Sequence, residues 1–154
     1  MHTGRNFALI LAAAVGLALT AAPALASTQS AAGTFVESPE TILEERQSGG
    51  NTHIHLTRDA VITGTYNGVG HADQYVVIHA DGSFNFHQTI DFTGEVCGQA
   101  VTLTFRNVGR GDFTTNQLAG HYTVIGGPPV GRGQGTITGE PGVGGTYEGE
   151  VHCD

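Results

Sequence analysis

Segments in which apolar and polar residues alternate cover most of the chain after residue 50, and this period of two is typical of half-buried β-strands. The clearest pair of such segments lies within residues 73–92, DQYVVIHADGSFNFHQTIDF. Between them stands Asp81-Gly82, and an Asp-Gly turn between two strand-like segments is a strong β-hairpin signal. The sequence therefore predicts a hairpin centred on these two residues.

The turn determines which side chains share a face of the hairpin. If Asp81 and Gly82 alone form the turn, Val77 lies opposite Phe86, and every second residue on either side of this pair points the same way. The face predicted to be the core face carries Tyr75, Val77, His79, Phe84, Phe86, Ile90 and Phe92. The other face carries Asn85, His87, Thr89 and Asp91.

Further strands are predicted before and after this hairpin. They cover residues 33–37, 51–66, 96–107, 117–125, 135–138 and 145–153. Residues 27–32 are expected to form a loose leader, and residues 38–50 a connection with at most one helical turn. A bulge or bend is expected at Arg58-Asp59 and a turn at Thr93-Gly94.

About eight short strands separated by turn residues predict an all-β fold, specifically a small antiparallel β-barrel or sandwich. The chain has 24 glycines, and several of them fall inside predicted strands. Glycine inside a strand is typical of the bends and close backbone contacts of a closed barrel, so the barrel is favoured. A barrel of this size is either filled by side chains or holds one small ligand.

The N-terminal 26 residues have the layout of a secretory signal peptide. Arg5 precedes an apolar segment at 7–19, and Ala24-Leu25-Ala26 supplies the small residues of a cleavage site. The apolar segment is too short for a membrane span. We expect cleavage after Ala26, secretion without a membrane anchor, and a single domain of 128 residues (154 minus 26) at 27–154, with the barrel core at 51–154.

Without this segment the chain has five Arg, no Lys and fourteen acidic residues, a net charge near minus nine. An acidic chain repels phosphate backbones and anionic lipid, so nucleic acid is excluded as an expected partner. The two cysteines, Cys97 and Cys153, are both in phase with apolar faces. In an exported protein a disulfide between them is the favoured interpretation, and a catalytic thiol is the alternative.

Histidines are the main candidates for chemistry. His53 and His55 are two residues apart on one strand and point the same way, which is suitable for two metal ligands, but no carboxylate follows at a suitable distance. We therefore predict a solvated strand face, no metal and no cofactor. His79, with Tyr75 nearby, is a candidate general acid or base, and a solvated position at the hairpin tip is the alternative. The catalytic and nucleotide-binding motifs with known spacing do not occur in the sequence.

Several segments resemble a known family: DAVITGTYNG from residue 59, HADGSFNFHQTIDFTGEVCGQAVTLTF from residue 79, GHYTVIGG from residue 120, GRGQGTITG from residue 131 and GGTYEGEV from residue 144. Together they resemble bacterial secreted members of the allene oxide cyclase barrel-like superfamily. The resemblance implies a small antiparallel barrel with an apolar lumen, often in an oligomer. The superfamily includes cyclases and many proteins of unknown activity, so fold transfers better than function.

Three functions agree with these observations. The first is a secreted protein that binds a small lipophilic molecule in its lumen. The second is a cyclase or isomerase in which His79 and Tyr75 assist proton transfer in that lumen. The third is a solid barrel that acts through its outer surface. The residues predicted to line the lumen are Tyr75, Val77, Phe84, Phe86, Val101, Leu103, Phe105, Tyr122 and Tyr147.

Overall fold

The computed structural model of the protein describes residues 27–153, whose regular secondary structure consists of β-strands. The strands are β1 (Thr28–Glu37), β2 (Thr41–Ser48), β3 (Asn51–Gly64), β4 (Tyr66–Ile78), β5 (Ser83–Val96), β6 (Gln99–Asp112), β7 (Gln117–Gly126), β8 (Gly133–Glu140) and β9 (Gly144–His152). Within these residues no helix has the length and hydropathy of a membrane span. The predicted signal peptide and its cleavage site lie outside the described residues.

Eight of the strands form a closed barrel. Strands β3 to β9 pair in sequential order, and β1 closes the ring by pairing with β9 on one side and with β3 on the other. All of these pairings are antiparallel. The predicted antiparallel barrel of about eight strands is therefore confirmed.

The remaining strand, β2, flanks the barrel. It pairs with the first half of β3, from Thr41 opposite Thr57 to Ser48 opposite Asn51, whereas β1 pairs with the second half. All eight residues of β2 are exposed. The leader expected at residues 27–32 and the connection expected at residues 38–50 are therefore wrong as local structure, whereas the strand predicted at 33–37 is the second half of β1. β1 forms because residues 28–36 pair with β9 and residues 33–37 also pair with β3, and this pairing outweighs the weak strand preference of its small residues.

The β4–β5 hairpin has a three-residue loop, Ala80 to Gly82, instead of the predicted two-residue turn. The His79 carbonyl accepts a hydrogen bond from the Gly82 N–H at 3.0 Å, and the His79 N–H donates to the Ser83 carbonyl at 2.8 Å. Gly82 has a φ of 87°, the left-handed conformation typical of the last residue in such a loop. The loop thus contains one residue more than predicted.

The additional loop residue shifts β4 by one position. Val76 lies opposite Phe86 where Val77 was predicted, and a shift of one residue exchanges the two faces of a strand. The prediction that Tyr75, Val77 and His79 face the core is therefore wrong. The residues of β4 that face inward near the loop are Gln74, Val76 and Ile78.

Two smaller predictions also differ from the structure. β3 continues through Arg58-Asp59 without interruption, and β5 continues through Thr93-Gly94. The chain turns instead at Cys97-Gly98, where φ is 54° at Cys97 and 74° at Gly98. Two central residues with positive φ form the tight turn that matches the twist of paired strands.

A disulfide joins Cys97 to Cys153, with 5.5 Å between the Cα atoms, as predicted. It fastens the β5–β6 turn to the end of β9. Disulfides persist in oxidising environments, so this bond indicates a compartment other than a reducing cytoplasm.

The barrel end that carries the disulfide is closed by packed side chains. The largest fully buried side chains of the described residues are Tyr66, Phe92, Val96, Leu103 and Val151. The loop at 127–132 crosses this end: the Gly131 N–H donates to the His152 carbonyl at 2.7 Å, and the Tyr66 hydroxyl donates to the Gly131 carbonyl at 3.2 Å. Access to the interior of the barrel is therefore restricted to the opposite end.

Candidate functional site

The open end of the barrel leads into a cavity of about 210 Å³. An engineered protein cavity of roughly 150 Å³ holds benzene, so this cavity has space for a somewhat larger molecule. Its mouth is formed by Glu40, Phe113, Pro141 and Gly142, which belong to three connections at the same end of the barrel. The lumen is hollow, which argues against a solid barrel.

Aromatic side chains form the inner end of the cavity. The rings of Tyr66 and Phe105 meet edge to face with centroids 5.0 Å apart, and those of Tyr122 and Tyr147 do so at 6.0 Å. Such edge-to-face contacts add to the stabilisation from burial and limit ring movement. The cavity therefore has a rigid aromatic floor.

The hydroxyl of Tyr147 belongs to the structure of the barrel. It accepts a hydrogen bond from the Tyr66 N–H at 2.9 Å and donates to the Thr63 carbonyl at 3.1 Å. Both backbone groups flank the turn between β3 and β4, where Gly64 interrupts regular pairing with a φ of 107°. Tyr147 thus provides hydrogen bonds to two backbone groups at a point where regular strand pairing is interrupted.

Four polar side chains lie side by side on the lumen wall. Gln74 on β4 lies opposite Gln88 on β5, Gln88 opposite Asn107 on β6, and Asn107 opposite Tyr122 on β7. The two glutamines and the asparagine are 8%, 7% and 6% exposed, and they are the buried polar residues of the part of the chain that the structure describes. We call Gln74, Gln88, Asn107 and Tyr122 the polar row.

Two glycines create the space that the Tyr122 ring occupies. A Cβ atom on Gly135 would lie 2.6 Å from Cε1 of Tyr122, and one on Gly149 would lie 2.7 Å from its hydroxyl oxygen. Burial, together with the neighbouring Tyr147, raises the pKa of Tyr122 to about 12. Its hydroxyl is therefore protonated at neutral pH.

An ion pair lies at the mouth side of the lumen. Arg58 Nη1 donates to Glu37 Oε2 at 2.6 Å, and both side chains are largely buried. Both residues line the cavity. Buried charges require a partner because desolvation of an unpaired charge is costly. The two charges neutralise each other, so the lumen has no net charge from this pair.

The polar row and the ion pair were missed from the sequence, although a signal was present. Arg58 shares the inward phase of β3 with Leu56 and Ala60, and Asn107 shares that of β6 with Phe105. A polar residue at an inward position must find a partner in the lumen. Attention to polar residues on the apolar face would have identified both features.

The lumen residues predicted from the sequence fall into three groups. Phe84, Phe86, Phe105, Tyr122 and Tyr147 line the cavity. Val101 and Leu103 are buried but do not line it. Tyr75 and Val77 lie on the outer face as a result of the shifted register. Whether the lining residues bind a ligand remains a prediction.

The structure does not bring His79 and Tyr75 into the lumen. The His79 ring is hydrogen-bonded to the side chains of Asn51 at 3.2 Å and Asn85 at 2.9 Å. Tyr75 is stacked on the outer face between His55, at 4.1 Å between centroids, and His87, at 5.1 Å. A catalytic role for this pair inside the lumen has no geometric support.

His53 and His55 lie on the outer face of β3, opposite Val77 and Tyr75 of β4. His55 Nε2 is 3.0 Å from a carboxylate oxygen of Asp73. Within residues 27–153 no three or more His, Cys, Asp or Glu side chains are grouped so as to hold a metal ion. What the structure shows at His55 is a histidine–carboxylate pair.

Comparison with known proteins gives a fold relationship. No family model and no curated protein matches the chain. The crystal structure of a protein with unknown function from the DUF3224 family of Shewanella oneidensis MR-1 is similar, with a TM-score of 0.65 and 19% sequence identity. The match covers 83% of this chain and 99% of that chain. At this identity the similarity shows a shared fold and does not transfer a function.

Proposed function

We propose that the protein binds a small lipophilic molecule inside the barrel. The observation that supports this most directly is the cavity of about 210 Å³, which is closed at one end and open at the other. Ligand sites are typically concave, mostly apolar and equipped with a few polar groups. The lumen has all three properties.

The walls and the floor of the cavity favour an apolar ligand of limited size. Ile54, Ile62, Val76 and Phe86 contribute apolar surface around it, and each buried CH₂ group of a ligand would contribute about 0.8 kcal/mol. The volume limits the ligand to about the size of two fused six-membered rings, judged from cavities that hold benzene.

The compartment expected for the protein agrees with a function as a carrier of a lipophilic molecule. The disulfide indicates an oxidising compartment, and the predicted signal peptide would place the protein outside the cytoplasm. A lipophilic molecule in an aqueous exterior gains from a protein that removes its surface from water. The resemblance to the allene oxide cyclase barrel-like superfamily, which implies an apolar lumen, is a further support that remains to be tested.

Binding of 2,6-dimethylnaphthalene, followed by its fluorescence, tests the proposal. The chain contains no Trp, so the protein contributes little fluorescence of its own. Ala72 lines the cavity and is 2% exposed, whereas Ala119 is exposed on the outer face. We expect Ala72→Phe to abolish binding by filling the lumen and Ala119→Phe to retain it.

Failure of the unmodified protein to bind this probe would contradict the proposal. Equal binding by the two variants would show that the probe lies on the outer surface and would contradict it as well. Circular dichroism of both variants identifies any loss of binding that results from unfolding.

A further inference from the structure

The polar row follows an oblique path through the lumen. A neighbouring row of directly opposed residues shows the direction of this path. It begins at Ile54 on β3, crosses all eight barrel strands and returns to β3 at Gly64, ten residues further along the chain. Rows of opposed residues therefore descend from the open end towards the closed end. Gln74 lies on the mouth side of the polar row, and Tyr122 reaches the aromatic floor.

Two members of the polar row have buried carbonyl oxygens without hydrogen bonds. These are Oε1 of Gln74 and Oδ1 of Asn107, and neither has a partner among residues 27–153. A buried polar atom without a partner costs about 1–3 kcal/mol. Gln74 and Asn107 both line the cavity, and each amide group can turn about its terminal side-chain bond so that its oxygen faces the lumen. The two oxygens are therefore acceptors to which a molecule in the lumen can donate.

The chemistry of the unpartnered atoms restricts what that molecule contains. The carbonyl oxygens of Gln74 and Asn107 accept hydrogen bonds only, so the ligand must donate to them. They are separated by Gln88, which places their strands about 9–10 Å apart at the usual strand spacing. A ligand that satisfies both needs one donor at each end.

Charge in the lumen favours a neutral ligand. Nε of Arg58 also lacks a partner within the described part of the chain, but the guanidinium is already paired with Glu37. A ligand carboxylate placed near Arg58 would also lie near the Glu37 carboxylate and would be repelled by it. A neutral hydroxyl can accept a hydrogen bond from Nε without this repulsion.

From these observations we infer that the lumen selects an uncharged compound, about two fused rings in size, with one hydroxyl group at each end. The hydroxyl groups donate to Gln74 and Asn107, and the apolar remainder lies against the opposite wall. This inference rests on the proposed function, because it specifies the class of ligand that the same cavity takes.

A matched pair of compounds tests the inference. We expect 2,6-dihydroxynaphthalene to bind more tightly than 2,6-dimethylnaphthalene, which has nearly the same shape. Asn107→Leu removes one acceptor at similar volume, and Asn67→Leu makes the same change at an exposed position. The preference for the diol should fall by about tenfold in Asn107→Leu and remain unchanged in Asn67→Leu.

The outcomes separate this inference from the proposed function. If both compounds bind in the lumen but neither Asn107→Leu nor Gln74→Met reduces the preference for the diol, the inference is wrong and the proposed function stands. If neither compound binds, both are wrong. Binding of 6-hydroxy-2-naphthoate more tightly than the diol would overturn the selection for uncharged ligands. Retained binding of 2,6-dimethylnaphthalene verifies that each variant is folded.

Discussion

Arg58 Nη1 lies 2.6 Å from Glu37 Oε2, and the two side chains are 8% and 10% exposed. This ion pair joins β3 to the last residue of β1, at the point where the chain leaves the barrel to form β2. The Glu37 N–H also donates to the Val143 carbonyl in the β8–β9 connection, at 2.9 Å. The pair therefore connects three segments around the mouth of the lumen.

Removal of one partner of this pair should destabilise the protein. Arg58→Met leaves the Glu37 carboxylate buried without its cation, and we expect a loss of about 3 kcal/mol in the free energy of unfolding, measured in urea. Asp59→Asn is the matched control, because Asp59 pairs with His71 through side chains that are 73% and 62% exposed. A loss from Arg58→Met no larger than that from Asp59→Asn would contradict the buried pair.

The register of β4 predicts different effects for two adjacent valines. Val76 is 7% exposed and faces the lumen, so Val76→Ala should lower the free energy of unfolding by about 1.5 kcal/mol. Val77→Ala, on the outer face, should lower it by less than about 0.5 kcal/mol. Thermal or urea unfolding of the two variants distinguishes the registers. A larger loss of stability from Val77→Ala than from Val76→Ala would instead support a two-residue turn at Asp81-Gly82.

The tyrosine hydroxyls should differ in their contribution to stability. Tyr147→Phe leaves the Tyr66 N–H and the Thr63 carbonyl without their partner, and we expect it to cost about 1–3 kcal/mol. Tyr122→Phe removes a hydroxyl whose neighbour is another side-chain hydroxyl, that of Tyr66, so no backbone group loses a partner and the cost should be below about 1 kcal/mol. Unfolding in urea measures both variants, and equal costs would contradict this difference.

Alkaline pH should destabilise the protein through its buried tyrosines. Burial raises the pKa of Tyr122 from 10.0 to about 12 and raises the pKa values of Tyr66 and Tyr147 as well. Between about pH 10 and pH 12 the tyrosines of the unfolded chain lose protons that the native protein keeps, so the free energy of unfolding falls as pH rises through this range. Below pH 10 these groups are protonated in both states and contribute no pH dependence.

Absorbance at 295 nm, which reports tyrosinate, checks this expectation. In the native protein the three buried tyrosines should ionise at higher pH than in the urea-unfolded chain. Ionisation of all four tyrosines of the chain at the same pH in both states would contradict their burial.

Much of the barrel could be predicted from local patterns. Alternation along β5, β6, β7 and β9 placed Phe86, Phe105, Tyr122 and Tyr147 inward without knowledge of neighbouring strands, because the period of two is a property of each strand. The disulfide followed from the presence of two cysteines in a chain with a predicted signal peptide. These inferences needed no tertiary information.

The β4 register could not be obtained in the same way. Asp81-Gly82 is compatible with a two-residue turn and with the last two positions of a three-residue loop, and β4 has apolar residues at both Val76 and Val77. With Ile78 next in sequence, alternation alone does not decide which of them faces inward. Hydrogen bonds between His79 and its partners across the loop decide it.

The sequence by itself determined the strand content, the disulfide and the inward face of most strands, because each depends on residues close together in the chain. Only the tertiary structure decided the pairing of β1 with β3 that closes the barrel, the hollow lumen, and the meeting of Arg58 with Glu37 and of Gln74, Gln88, Asn107 and Tyr122. These features depend on the stagger of eight strands and on the volume left between their side chains, which no single segment specifies.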